Sequence, residues 1–101
     1  MLHHIVWWTF KEEAEGASAA QNMAKVKASI EELRGKIPSL LQLEMSDTVL
    51  PTSTRPAQLV LHTVHDNAAG LHAYAEHPLH VAVLPFVKAV VASREALDFE
   101  V

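Results

Sequence analysis

The segment Tyr74-Ala75-Glu76-His77-Pro78-Leu79-His80-Val81 gathers this chain's best candidates for proton chemistry. Proline fits the first turn of a helix and fits badly in its interior. Pro78 therefore opens a helix, with His77 at or beside its N-cap and His80 in its first turn. The positive end of a helix dipole disfavours imidazolium, so this reading predicts a neutral His80 at pH 7. A neutral imidazole accepts a proton, and the free N–H groups of the same turn can hold an anionic oxygen. His80 can then act as a general base at a carbon next to a carbonyl, with Tyr74 donating to the developing oxyanion. That chemistry needs His80 within about 3 Å of Tyr74, or one water away, and a cavity of roughly 300 Å3 or more. In the bland alternative the segment only starts a helix. His80 packs the turn, and Tyr74 finds in it a partner for a buried hydroxyl. His77 suits a structural role better, because a residue beside an N-cap often bonds backbone amides.

Seven histidines in 101 residues raise the question of a metal. His77 and His80 are three apart, but Pro78 interrupts the helix between them. His62 and His65 are three apart on an expected strand, which sends them to opposite faces. There is no HExxH pattern and no cysteine, so no metal site is expected. The three glycines, at 16, 35 and 70, form no phosphate loop, and no nucleotide cofactor is expected either.

The elements that must position these residues follow from periodicity. Leu2 to Phe10 alternates as a strand, with His4, Val6, Trp8 and Phe10 on one face and His3, Ile5, Trp7 and Thr9 on the other. Adjacent Trp7 and Trp8 therefore face opposite ways, one into the subunit core and one into a seam. Lys11 to Ala17 is a polar connection. Ser18 and Gln21 match a capping box, and Met23, Val26, Ile30 and Leu33 mark an amphipathic helix stopped at Gly35. Leu41, Leu43 and Met45 mark a strand with one wet face. Val49 to Pro56 is a loop. Gln58 to Val64 is a strand apolar on both faces. Asp66-Asn67 caps a short helix carrying Leu71 and Tyr74. The Pro78 helix follows, with Val81, Leu84, Val87 and Val91 on one stripe and a kink at Pro85. Ala96 to Val101 closes as a strand.

The order β-α-β-β-α-β is the ferredoxin-like, split βαβ arrangement: an α+β fold with a four-stranded antiparallel sheet, here as a single domain over 1–101. Its helices cover one sheet face only. Two strands apolar on both faces then leave an uncovered apolar surface, which a second copy packed sheet against sheet would shelter. A two-fold homodimer is expected.

Composition narrows the rest. Hydrophobic residues make up 50% of the chain and charged residues 20%, which excludes disorder. The net charge is −4 and the eight lysines and arginines are scattered, so nucleic acid is not an expected partner. No apolar run reaches a bilayer span, no membrane partner is expected, and the cytoplasm is the default location.

Several stretches together resemble the stress-responsive α/β-barrel domain family, often called Dabb. They are His4-Ile5-Val6 with Phe10-Lys11, Lys36-Ile37-Pro38, the Tyr-x-x-His-Pro-x-His-Val run from Tyr74 to Val81, and Ser93-Arg94 with Asp98-Phe99. The similarity covers essentially the whole chain. It implies a ferredoxin-like subunit whose dimer forms an α/β barrel. Most members have no assigned reaction. A plant polyketide cyclase of this fold uses a tyrosine and a histidine of the equivalent motif in aldol chemistry. Carried over, those roles fall on Tyr74 and His80, with His4, Val6, Trp8 and His77 lining the substrate pocket and no cofactor. The resemblance thus implies a lyase or cyclase acting on a polyketide-like or carbonyl substrate. The other reading is a non-catalytic protein that binds a small apolar ligand. Haem-degrading monooxygenases also use ferredoxin-like dimers and form a minor third reading. Trp7 and Trp8 are bulkier than the aliphatic residues expected at their positions and would reshape the cavity.

Overall fold

The computed structural model describes residues 1–101. Strand β1 runs Leu2–Phe10, followed by the short strands β2 (Glu13–Ala14) and β3 (Ala17–Ser18), helix α1 (Ala19–Glu31), β4 (Gln42–Ser46) and β5 (Leu59–His65). Helices α2 (Ala68–Glu76), α3 (Pro78–Val81) and α4 (Leu84–Val90) come next, and β6 (Val91–Glu100) closes the fold. Four strands form an antiparallel sheet in the order β4-β5-β1-β6, the ferredoxin-like topology. No helix is long and apolar enough to cross a membrane.

Local chemistry sets the boundaries. Ser18 and Gln21 form the expected capping box at the start of α1. The chain then leaves α1 through a run of i to i+3 bonds, Leu33 to Ile30, Arg34 to Glu31 and Lys36 to Leu33, which ends at Gly35 with φ 79°. Asn67 caps α2 by accepting the Gly70 N–H.

Three expectations need correction. The connection after β1 is not merely polar coil, because β2 and β3 pair as a small hairpin across Glu15 and Gly16. Both turn residues have positive φ, 52° and 74°, the geometry of a two-residue hairpin turn. Pro85 does not kink one continuous helix. It stands in the first turn of α4, where its missing N–H costs nothing, and the chain is broken between α3 and α4. The last strand starts at Val91 rather than Ala96, since the backbone turns extended at Val91 (φ −86°, ψ 144°), so Val91 belongs to β6 and not to a helical stripe.

The core lies between the sheet and the helices. Val6, Trp8 and Phe10 of β1, Leu43 of β4, and Leu59 and Leu61 of β5 meet Val26 and Ile30 of α1, Tyr74 of α2, and Val87 and Val90 of α4. Burying each such side chain contributes about 1.5–3 kcal/mol.

The other sheet face carries no helix. His3, Ile5, Trp7 and Thr9 of β1 are half-buried there, between Val60 and His62 of β5 and Leu97 and Phe99 of β6. Leu97 is 56% exposed and Phe99 40%. The rings of His62, His3 and Phe99 run across three strands in nearly parallel planes, 16° and 9° apart, and the His3 Nδ1 and His62 Nε2 atoms are hydrogen-bonded at 2.9 Å. Trp7 Nε1–H donates to Glu95 at 2.8 Å, and Arg55 pairs with the same carboxylate. Those bonds, from Arg55 first and Trp7 second, hold the Glu95 carboxyl below its ordinary range.

Candidate active site

A cavity of about 240 Å3 opens between the helix-covered sheet face and helices α3 and α4. His4, Val6 and Trp8 reach it from alternate positions of β1, Tyr74 from α2, His80 from α3, and Lys88 and Arg94 from α4 and β6. Five of the six site residues expected from the sequence thus share one cavity. His77 is the exception. Its Nδ1 accepts the Leu79 N–H at 3.1 Å and caps α3, so its ring is spent on the backbone and does not line the wall.

His80 is held in one tautomer. Its Nδ1–H donates to the Ala75 carbonyl at 2.9 Å, which leaves Nε2 with the lone pair in the neutral ring. Burial pushes its pKa down, the Ala75 bond opposes this, and the positive fields of His4 and Arg94 add to the depression. The direction is the one expected from the sequence, but the cause is desolvation. Helix α3 has only four residues, and His80 stands in its last turn, so a helix dipole supplies little.

Tyr74 is 2% exposed, and burial pushes its phenol up to about 12, against a small opposing pull from Arg94. It stays protonated and a donor at neutral pH. Its ring packs between His65 and His80, with centroids 5.1 Å and 4.5 Å away and planes tilted by 43° and 46°. The contact with His80 is ring against ring, with no direct hydrogen bond, which was the closer of the two arrangements the sequence reading allowed. The cavity is also somewhat smaller than expected, which suits a small ligand.

His4 is almost fully buried, and its Nδ1–H donates to the Asp98 carboxylate from the paired position on β6. This bond fixes the tautomer and leaves Nε2 free. The sequence marks Asp98 only as part of the family pattern in the closing strand; its pairing with His4 was missed because the two are 94 residues apart in the chain. Trp8 presents its ring to the cavity, but its Nε1–H is buried without any partner. Such an orphan donor costs about 1–3 kcal/mol. The other tryptophan, Trp7, lies on the open face, as alternation required.

His65, also missed, is fully buried beneath Tyr74. Its Nδ1–H donates to the Ser39 carbonyl at 2.6 Å, and its Nε2 accepts the Thr63 hydroxyl at 2.9 Å. Burial, mainly, lowers its pKa; the Ser39 bond opposes, His4 adds to the lowering and Asp98 counters it. A neutral, doubly bonded imidazole here serves as a brace. The helix-face pattern of β5, with Leu59, Leu61 and Thr63 before it, was the available signal.

The stress responsive A/B barrel domain model matches residues 2–101. The chain belongs to this family. No curated protein matches the Dabb chain significantly. Among solved structures, a dimeric protein of unknown function and ferredoxin-like fold from Bacteroides fragilis is 27% identical, with a TM-score of 0.83, over 99% of this chain and 95% of that one. A Dabb family protein from Mesorhizobium loti is 18% identical, with a TM-score of 0.76, over 99% and 95%. A hydroxynitrile lyase from Passiflora edulis shares the fold at 11% identity and a TM-score of 0.81, over 99% and 92%.

Proposed function

We propose that this Dabb protein performs cofactor-independent acid–base chemistry on a small carbonyl compound, a lyase or cyclase step, in a cavity formed by each subunit of a homodimer. One observation carries the reading. A neutral, tautomer-locked imidazole and an un-ionised phenol lie in contact on the wall of a mostly apolar cavity. His80 Nε2 takes the proton from a carbon next to the carbonyl. The C–H electron pair moves into the carbonyl, and Tyr74 O–H donates to the oxygen that gains the charge. The enolate carbon then attacks a second carbonyl of the same molecule. A carbon–carbon bond forms, and the new alkoxide takes its proton back from the His80 imidazolium. His4, backed by Asp98, is placed to share that last transfer. That a hydroxynitrile lyase is built on this fold supports the fold's capacity for lyase chemistry.

The dimer rests on the open face. Leu97 and Phe99 are exposed beside half-buried His3, Ile5 and Trp7. The Bacteroides fragilis relative is described as dimeric. The cytoplasm is retained as the proposed location.

A non-catalytic, ligand-binding role is the second reading. It is favoured by the missing Tyr74–His80 hydrogen bond, since binding needs only the cavity. Deuterium exchange next to the carbonyl of phenylacetone, followed by NMR, separates the two. The expected result is exchange accelerated by the wild-type protein and slowed at least ~100-fold by His80→Ala, with folding and association unchanged. Exchange no faster than in buffer leaves only the binding role.

A further inference from the structure

The cavity wall has a one-sided charge inventory. Its ionisable side chains are His4, Tyr74, His80, Lys88 and Arg94, and none is a carboxylate. This stands out in a chain whose net charge is −4. Five of the eight lysines and arginines are engaged elsewhere: Lys11 on the Ala89 carbonyl, Lys25 over the Phe86 ring, Lys27 with Glu31, Arg34 on the Leu43 carbonyl and Arg55 with Glu95. Of the other three, Lys36 lies away from the cavity, whereas Lys88 and Arg94, which have no ion-pair or hydrogen-bond partner, both stand at it. They are exposed, and the apolar wall of Val6, Trp8, Leu61 and Val87 is buried, so the cations mark its mouth. The field of Arg94 reaches inward as far as Tyr74 and His80. The Trp8 ring forms part of the same wall, and its indole N–H is unpaired and, as the ring stands, closed off from the cavity.

We infer that the cavity takes a small oxoacid: an apolar body with a carboxylate held at the mouth by Arg94 and Lys88, and an oxygen deeper in toward which the Trp8 ring turns its N–H on binding. A guanidinium matches a carboxylate with two parallel N–H donors, and the neighbouring ammonium adds a point charge. Low-dielectric walls strengthen both attractions. A neutral ligand of the same shape leaves the two cations with nothing to bind. The inference rests on the carbonyl-substrate reading above and adds to it a charge and a second anchor. It makes Arg94, Lys88 and Trp8 specificity-determining residues, leaving proton transfer to His80 and Tyr74.

Three probes of nearly equal size test it: benzoylpropionate, its neutral amide benzoylpropionamide, and phenylbutyrate, in which a methylene replaces the ketone. Binding is measured by calorimetry, and the indole N–H resonances are followed by NMR. Benzoylpropionate is expected to bind at least ~10-fold tighter than the amide, and Arg94→Gln with Lys88→Gln to erase that difference. Phenylbutyrate is expected to bind ~5-fold more weakly than the oxoacid. The Trp8 N–H resonance should move on saturation, while that of Trp7, held by Glu95, stays. This readout needs no substitution of a core residue. An amide that binds as well as the acid, or no binding of the acid up to about 10 mM, overturns the carboxylate site. A stationary Trp8 resonance overturns the inner anchor. Because the readout is binding, a pocket that takes the oxoacid but moves no proton sinks only the acid–base reading. A pocket that exchanges protons on phenylacetone but ignores the carboxylate sinks only this one.

Discussion

On one side of β1, His4, Val6, Trp8 and Phe10 are sealed beneath helices; on the other, His3, Ile5, Trp7 and Thr9 are half-buried next to exposed Leu97 and Phe99. Each side holds a histidine and a tryptophan, yet their polar atoms are treated in opposite ways. On the open side, side-chain donors find partners within the chain: Trp7 in Glu95, and one imidazole N–H in the other imidazole ring. What is missing there is apolar cover. On the helix side the apolar cover is complete, and what is missing is a polar partner for Trp8. The first deficit is the kind that another protein surface makes good. The second is the kind that a small molecule makes good.

The largest test of that contrast is one substitution on each side. Leu59→Ala, under the helices, should cost about 2–5 kcal/mol in chemical denaturation, because a fully buried side chain is removed from a packed site. Leu97→Lys on the open side should change the stability of the isolated subunit by no more than about 0.5 kcal/mol. It should still weaken self-association at least ~10-fold in sedimentation experiments, since an ammonium would be buried in the seam. If Leu97→Lys dimerises like the wild type, the seam lies elsewhere.

A smaller effect concerns protons. His65 and His80 have folded-state pKa values below their ordinary value of 6.5. The unfolded chain therefore takes up protons at these positions before the folded chain does. Their contribution to stability is fully present above about pH 6.5 and is lost as pH falls through the folded values. Urea midpoints should drop on acidification from about pH 7 to 5. A flat profile would mean that neither ring is shielded as the structure shows.

Periodicity made β1 readable to the residue, because alternation over nine residues has no helical counterpart. It failed where patterns run together. Val87 and Val90 belong to α4 and Val91 to β6, and neither glycine nor proline marks the change. The β2–β3 hairpin, two residues per strand, is too short to show a period. For the site, the Tyr74–His80 segment and the inward row of β1 were legible from local spacing. Asp98, Arg94 and Lys88 were not, because their place at the cavity depends on how β6 and α4 return to β1. His77 was misassigned to the pocket since capping and lining positions differ by a few residues on so short a turn.

Strand β6 carries both unfinished surfaces at once. Leu97 and Phe99 look outward to the bare sheet, and between and before them Asp98 and Arg94 reach the opposite way, to His4 and the cavity mouth. A neighbour gripping this ribbon from outside would stiffen the very backbone that aims the charges within. The bare sheet face and the cavity mouth share one stretch of chain, so a lesion in β6 on one side should echo on the other.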